Sequence, residues 1–275
     1  MASNADHASL LHRDVATVRA AIRAGDYDGH TAGLAPGKLQ ANLVILPAEH
    51  AADFERYCER NPRPCPLVGR TDVGDPHWTA LGDIDVRHDV PRYNVYRDGE
   101  LEHTVTDLAA LWQADWVAFA LGCSFTFETA LRERGVPVAH IDADRTVPMY
   151  RTHVETTPAG PFRGGMVVSM RRVPEAQVAL AEATSAKFPW AHGAPVHVGD
   201  PSALGIANLD QPDWGDPPVG EGVPVFWACG VTPQNALANA RLPLVVTHAP
   251  GHMLITDIDD TENAFIQSTP NRRVR

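Results

Sequence analysis

Apolar positions in this chain recur in two rhythms, and the rhythm switches from segment to segment. Leu11, Val15, Val18 and Ile22 fall at helical spacing within residues 9–24, with Ser9 placed to cap the start and Gly25 to end it. LQANLVILP at 39–47 is an apolar run of strand length. AEHAADFERYCERN at 48–61 returns to helical spacing until Pro62, Pro64 and Pro66 stop it. Residues 92–97 and 100–106 flank Asp98-Gly99 and predict a hairpin with a two-residue turn. A helix is expected over 107–114, a strand over 115–122, a helix over 124–135 and a strand over 136–142.

The middle of the chain changes character. MYRTHVE (149–155) and GGMVVSMRRV (164–173) predict paired strands, 174–188 a helix with Pro174 in its first turn, and APVHVG (194–199) a further strand. A Pro-, Gly- and Asp-rich stretch at 200–222 follows. Strand and helix then alternate again at 223–230, 232–242 and 243–249, before an aperiodic tail at 259–275. Residues 1–8 read as a frayed start. Alternation of this kind predicts a three-layer α/β/α main domain with a mostly parallel sheet, at 1–145 and 223–275. A smaller two-layer α+β domain is expected as an insert at 146–222.

Composition narrows the function. With 44% hydrophobic and 21% charged residues the chain is an ordinary globular protein. Its formal net charge of −11 argues against nucleic acid or an anionic membrane as partner, because phosphates need clustered Lys and Arg. No apolar stretch reaches the roughly 20 residues that span a bilayer. The four cysteines include no CxxC pair, which suits a reducing cytoplasm and free thiols. Cys58 and Cys65 flank the Pro-rich turn and are read as packing residues.

Two segments resemble one another. DWVAFALG leads into Cys123, Ser124, Phe125 and Thr126, and VPVFWA leads into Cys229, Gly230, Val231, Thr232, Pro233 and Gln234. Each is an apolar strand that ends in a cysteine and opens a helix, and free N–H groups at a helix N-terminus favour anions and thiolates. Thr232 is placed to cap the second helix. Both cysteines are therefore expected to face one pocket that takes a carboxylate, although a buried cysteine alone is often only filler. His192, His197, His248 and His252 supply candidate acid–base groups, of which His252 and His192 are preferred. A metal is not expected. Pro250-Gly251 forbids the helix that would align His248 with His252. Tyr150, Arg151 and Arg171 sit in the apolar middle strands, where Arg forks match carboxylates. No nucleotide-binding glycine motif is present, and no cofactor is expected.

QANLVILP (40–47), CERNPRPCP (58–66), GCSFTFETAL (122–131), VPMYRT (147–152), GGMVVSMR (164–171), HGAPVHVGDP (192–201), VPVFWACGVTPQ (223–234) and THAPGHMLITD (247–257) occur in that order. Together they resemble the bacterial hydro-lyase family related to the N-terminal domain of mitochondrial D-glutamate cyclase. Ala139-His140 departs from it, since many relatives carry a basic residue before that His. The resemblance implies a lyase that removes water from a small amino-acid-like carboxylate, as when D-glutamate closes to 5-oxo-D-proline. It also implies an α/β main domain with a smaller two-layer one. Two other readings fit the cysteine pair, a two-thiol amino-acid racemase or epimerase and a non-catalytic binder of an amino acid or oxoproline. Metal-assisted hydrolysis at His248 and His252 is a further alternative. The partner expected is a small carboxylate, and a homo-oligomer is compatible with the sequence.

Overall fold

The computed structural model describes residues 5–260. The expectations for residues 1–4 and 261–275 lie outside the described residues. In chain order the elements are α1 (His7–Leu10), α2 (Val15–Arg23), β1 (Lys38–Pro47), α3 (Ala48–Arg60), β2 (Leu67–Arg70), β3 (Tyr93–Arg97) and β4 (Glu100–Val105). Next come β5 (Trp116–Gly122), α4 (Phe125–Glu133), α5 (Ala139–Asp142), β6 (Met149–Glu155), β7 (Gly165–Val173) and α6 (Val178–Ser185). The chain closes with β8 (His197–Val198), β9 (Val223–Ala228), α7 (Thr232–Ala240), β10 (Val245–His248) and β11 (Leu254–Asp259).

These strands build two sheets. The first runs β2-β5-β1-β10-β3-β4, and β11 continues beside β1 beyond the end of β10. The second runs β6-β7-β9-β8. Every strand pairing in both sheets is antiparallel. This corrects the expectation of a mostly parallel sheet in a three-layer α/β/α domain: the fold is mixed α/β with antiparallel sheets. The third strand of the second sheet, β9, comes from the segment assigned to the main domain.

The reason is visible in β1. A strand covered on both faces reads as an unbroken apolar run whichever way its neighbour points. Val44 and Leu46 pack against Phe54 and Tyr57 of α3. On the opposite face Ala41, Leu43 and Ile45 pack against Trp78, Leu81, Ile84, Val86 and Val90. That loop segment, 71–92, lies where a crossover helix of a parallel sheet would lie.

Local signals fared better where a turn or cap fixed them. Asp98 and Gly99 both take positive φ, 49° and 86°, as the hairpin turn between β3 and β4 requires. The first helix, however, breaks in two, because Asp6 and Asp14 each accept a backbone N–H and cap separate helices. Residues 107–114 form turns rather than a helix, 139–142 is a short helix rather than a strand, and only His197–Val198 of 194–199 pairs.

Candidate active site

The thiol site lies where the two sheets meet. β5 of the first sheet ends in Gly122 and delivers Cys123, while β9 of the second ends in Ala228 and delivers Cys229. Both thiols join one buried apolar cluster with Val147, Met149, Val167 and Met253. Asn42 of β1 bridges the two turns. Its Nδ2 donates to the carbonyls of Leu121 (3.3 Å) and Gly122 (2.8 Å). A Cβ on Gly230 would lie 2.0 Å from the same nitrogen, so only glycine fits there.

Each sulfur takes backbone N–H groups from the turn that opens the next helix: Phe125 for Cys123, and Val231 and Gly230 for Cys229. Burial nonetheless dominates. It pushes Cys123 up to about 12 against the Phe125 N–H, with the neighbouring Cys229 adding to the rise. Burial likewise lifts Cys229 to about 11 against the Val231 N–H and the Arg171 charge. Both thiols are therefore protonated at neutral pH, and the two are close enough to sense one another's charge.

Beneath them sits a buried charged network. Arg171 Nε donates to Glu128 Oε1 (3.0 Å), and Nη2 donates both to that oxygen and to Ser124 Oγ (2.8 Å). Its Nη1 donates to Ser169 Oγ at 2.7 Å. Burial alone would raise the Glu128 carboxyl, but His140 and Arg171 beside it pull it below its ordinary range. His140 Nε2 lies 3.2 Å from Glu128 Oε1. With its donors engaged in this way, Arg171 supplies positive potential rather than an empty fork.

Of the other sequence candidates, His192 belongs near this network. It is 1% exposed, its Nδ1 donates to the Arg63 carbonyl (2.7 Å), and its Nε2 has no partner among the described residues. Burial, with Arg171 and Arg63 nearby, drives its pKa down to about 4. Thr126 Oγ1 accepts from the Gln40 N–H. Thr232 does not cap α7 as expected. It is the first helical residue, and its hydroxyl ties the helix to Val167 of β7.

His248 and Gln234 form a separate buried pair on the first sheet. His248 Nδ1 accepts from the Leu43 N–H (3.1 Å), and Gln234 Nε2 donates to the His248 carbonyl (3.1 Å). His252 points elsewhere, with Nδ1 against the Pro250 carbonyl (2.9 Å) and His30, Arg92 and Asp28 as its charged surroundings. Tyr150, Arg151 and His197 are not gathered at the thiols. Tyr150 packs with Met166, Val168 and Met170, its hydroxyl donating to Leu209. Arg151 is exposed over the Trp214 ring beside Asp213. His197 lies against Phe226 with the two rings tilted at 36°.

Asn42, Glu128 and His140 escaped the sequence reading as site residues. Asn42 alone carried a signal, as the one polar residue in the apolar run 41–46. A cleft of about 820 Å³ lies away from the thiols, between α3, β2 and Trp190. The Trp190 carbonyl closes against Gly122, where a Cβ would come within 1.5 Å of it. Cys58 and Cys65 are buried, line that cleft and join the core behind it.

Two deeply buried neutral imidazoles give the fold a pH dependence. His192 and His248 are both lowered to about 4 from 6.5, chiefly by burial. Their folded values lie below the unfolded one, so their contribution is complete above pH 6.5 and lost as pH falls toward 4. Each adds a slope of up to about 1.4 kcal/mol per pH unit inside that window. Urea unfolding between pH 7.5 and 5 should show stability falling with acid. His248→Gln should remove its share of that slope, and an unchanged slope would rule the assignment out.

The fold is thus a mixed α/β protein with two buried thiols in one cluster beside a buried charge network. The D-glutamate cyclase family profile matches residues 117–257. A Dinoroseobacter shibae protein named "Putative hydro-lyase" is 63% identical over 255 residues, covering 92% of this chain and 85% of its own. A Jannaschia relative of the same name is 60% identical over 260 residues, covering 93% and 97%. Another, from Ruegeria pomeroyi, is 59% identical over 269 residues, covering 96% and 98%. This chain belongs to the D-glutamate cyclase family. Among solved structures, a nitrogen repressor-like protein of Methanococcus jannaschii aligns at 11% identity with a TM-score of 0.37, over 86% of this chain and 96% of that one. That likeness carries no weight. No helix among the described residues is long and apolar enough to cross a membrane.

Proposed function

We propose that this chain is a hydro-lyase that removes water from a small amino-acid-like carboxylate, in the manner of D-glutamate closing to 5-oxo-D-proline, at the Cys123–Cys229 site. The supporting observation is the meeting of two thiols from two sheets in one buried cluster, each at the turn that opens a helix and both within reach of the Arg171 charge. In such a cyclisation the substrate amine attacks its own side-chain carboxyl. A carbon–nitrogen bond forms, negative charge builds on the carboxyl oxygen, and one oxygen leaves as water. Backbone N–H groups at the starts of α4 and α7, with Arg171 behind Ser124, would stabilise that charge. The two protons that leave in the water come from the amine, one relayed through a neutral thiol and one through the open Nε2 of His192, so both groups end in their starting state.

Two thiols in one cluster are also what a racemase needs, in which one sulfur, as the thiolate, removes the Cα proton and the other delivers a proton to the opposite face. One experiment separates the two. The protein is incubated in deuterated water with a panel of D- and L-amino acids and hydroxy acids, and products are read by mass. Loss of one water from a panel member is the expected result. Deuterium at Cα without water loss would assign the racemase reaction instead.

A further inference from the structure

A second group of ligating side chains lies apart from the thiols. His7 comes from α1, His30 from the segment between α2 and β1, and Asp144 from the turn after α5. Their potential ligand atoms all lie within 4.8 Å of one another. His7 Nδ1 is 3.4 Å and His30 Nε2 is 3.1 Å from the same oxygen, Asp144 Oδ1.

The protons explain why this geometry is unusual. His7 Nε2 donates to the Ala32 carbonyl at 2.9 Å, because a carbonyl can only accept. The proton of a neutral His7 is therefore on Nε2, and its Nδ1 presents a bare lone pair to a carboxylate oxygen. Two acceptors in that position repel unless a cation or an extra proton lies between them. A carbonyl on the far ring nitrogen is also the usual support of a metal-bound histidine. Separations of 3.1 and 3.4 Å match two ligands that each sit about 2.0–2.1 Å from one tetrahedral ion.

Backbone contacts fix the segment that carries His30. The Tyr27 hydroxyl donates to the His30 carbonyl, and the next N–H, of Thr31, donates to the Gly251 carbonyl at 2.8 Å. Asp144 takes a left-handed conformation, φ 53°, which an aspartate tolerates.

We infer that His7, His30 and Asp144 form a binding site for a divalent transition-metal ion of the zinc class. Two imidazoles and one carboxylate favour such an ion over magnesium or calcium, which prefer oxygen ligands. Three protein ligands leave a fourth position open. The two histidines are half-buried and the aspartate is exposed, so the ion reaches the site from solvent. The inference stands independently of the reaction proposed above.

The test uses the full chain without an affinity tag, stripped by a chelator and then freed of it. Zinc chloride is titrated by calorimetry and cobalt chloride by visible absorption. One zinc per chain is expected at micromolar or tighter affinity, with a rise in Tm. The cobalt spectrum should show ligand-field bands and no sulfur-to-metal charge transfer. Asp144→Asn keeps a hydrogen-bond acceptor but loses the charge, and His7→Gln removes an imidazole. Each should weaken zinc by at least about tenfold with an unchanged circular dichroism spectrum. A plain His–Asp ion pair would give no stoichiometric uptake, or uptake indifferent to both variants. A charge-transfer band would place the ion on the cysteines. Any of these three results overturns the site.

Discussion

Arg171→Met is expected to destabilise the fold by about 3–5 kcal/mol, measured as a lowered urea midpoint at pH 7. Arg171 is 4% exposed and Glu128 1%, so removing the guanidinium leaves an interior carboxylate with His140 as its remaining partner. Methionine keeps most of the volume, so the loss is electrostatic rather than a cavity. The double variant Arg171→Met, Glu128→Gln should recover a large part of the stability, since no buried charge is then left unpaired. The pH dependence carries a sign as well. Glu128 is held below its ordinary value, so its contribution is present above that value and lost as pH falls through the lower folded one. In Arg171→Met the folded value rises toward the unfolded one, so the window of loss narrows and ends at higher pH. A single variant that costs less than about 1 kcal/mol, the range of exposed ion pairs, would show that the two charges do not depend on each other.

Cys123→Ala and Cys229→Ala are each expected to lower turnover by about 10²–10⁴-fold while leaving the urea midpoint within about 1 kcal/mol of wild type. The prediction uses whichever substrate of the acid panel loses water. Each thiol is deeply buried and protonated, and each takes N–H groups from the turn opening the next helix, so each is placed to give up a proton at a fixed point. Alanine removes that proton and little else. Cysteine-to-serine variants keep a donor of higher pKa and should retain part of the rate. Full activity in both alanine variants would remove the thiols from the mechanism. A loss in one only would assign that sulfur the proton transfer and the other a packing role.

The site and the fold were legible to different degrees. Cys123 and Cys229 stood out because each ends an apolar strand and begins a helix, and a local pattern of that kind survives any tertiary arrangement. Ser124 and Arg171 were found, but as candidate binders of substrate. Only the tertiary structure shows Arg171 already held by Glu128, two residues 43 positions apart in the chain. Tyr150 and Arg151 share a motif with Val147 and Met149, which pack at the thiols, yet the strand sends Tyr150 into a different core and Arg151 to the surface. His7, His30 and Asp144 gave no sequence signal, since nothing local brings residues so far apart together.

By itself the sequence determined what depends on neighbours along the chain: the strand β1 and the helix α3 that follows it, the Asp98-Gly99 hairpin, the paired β6 and β7, and the two cysteine turns. Family membership was legible too, because long motifs preserve order and spacing. Tertiary structure alone decided strand direction, and it did so against the alternation of strands and helices. Burial on both faces makes a strand apolar throughout, and that pattern is blind to whether its neighbour runs with it or against it. It also decided which polar side chains were left to meet a substrate and which had already been satisfied by one another, since a buried charge takes whatever partner the packing brings within reach.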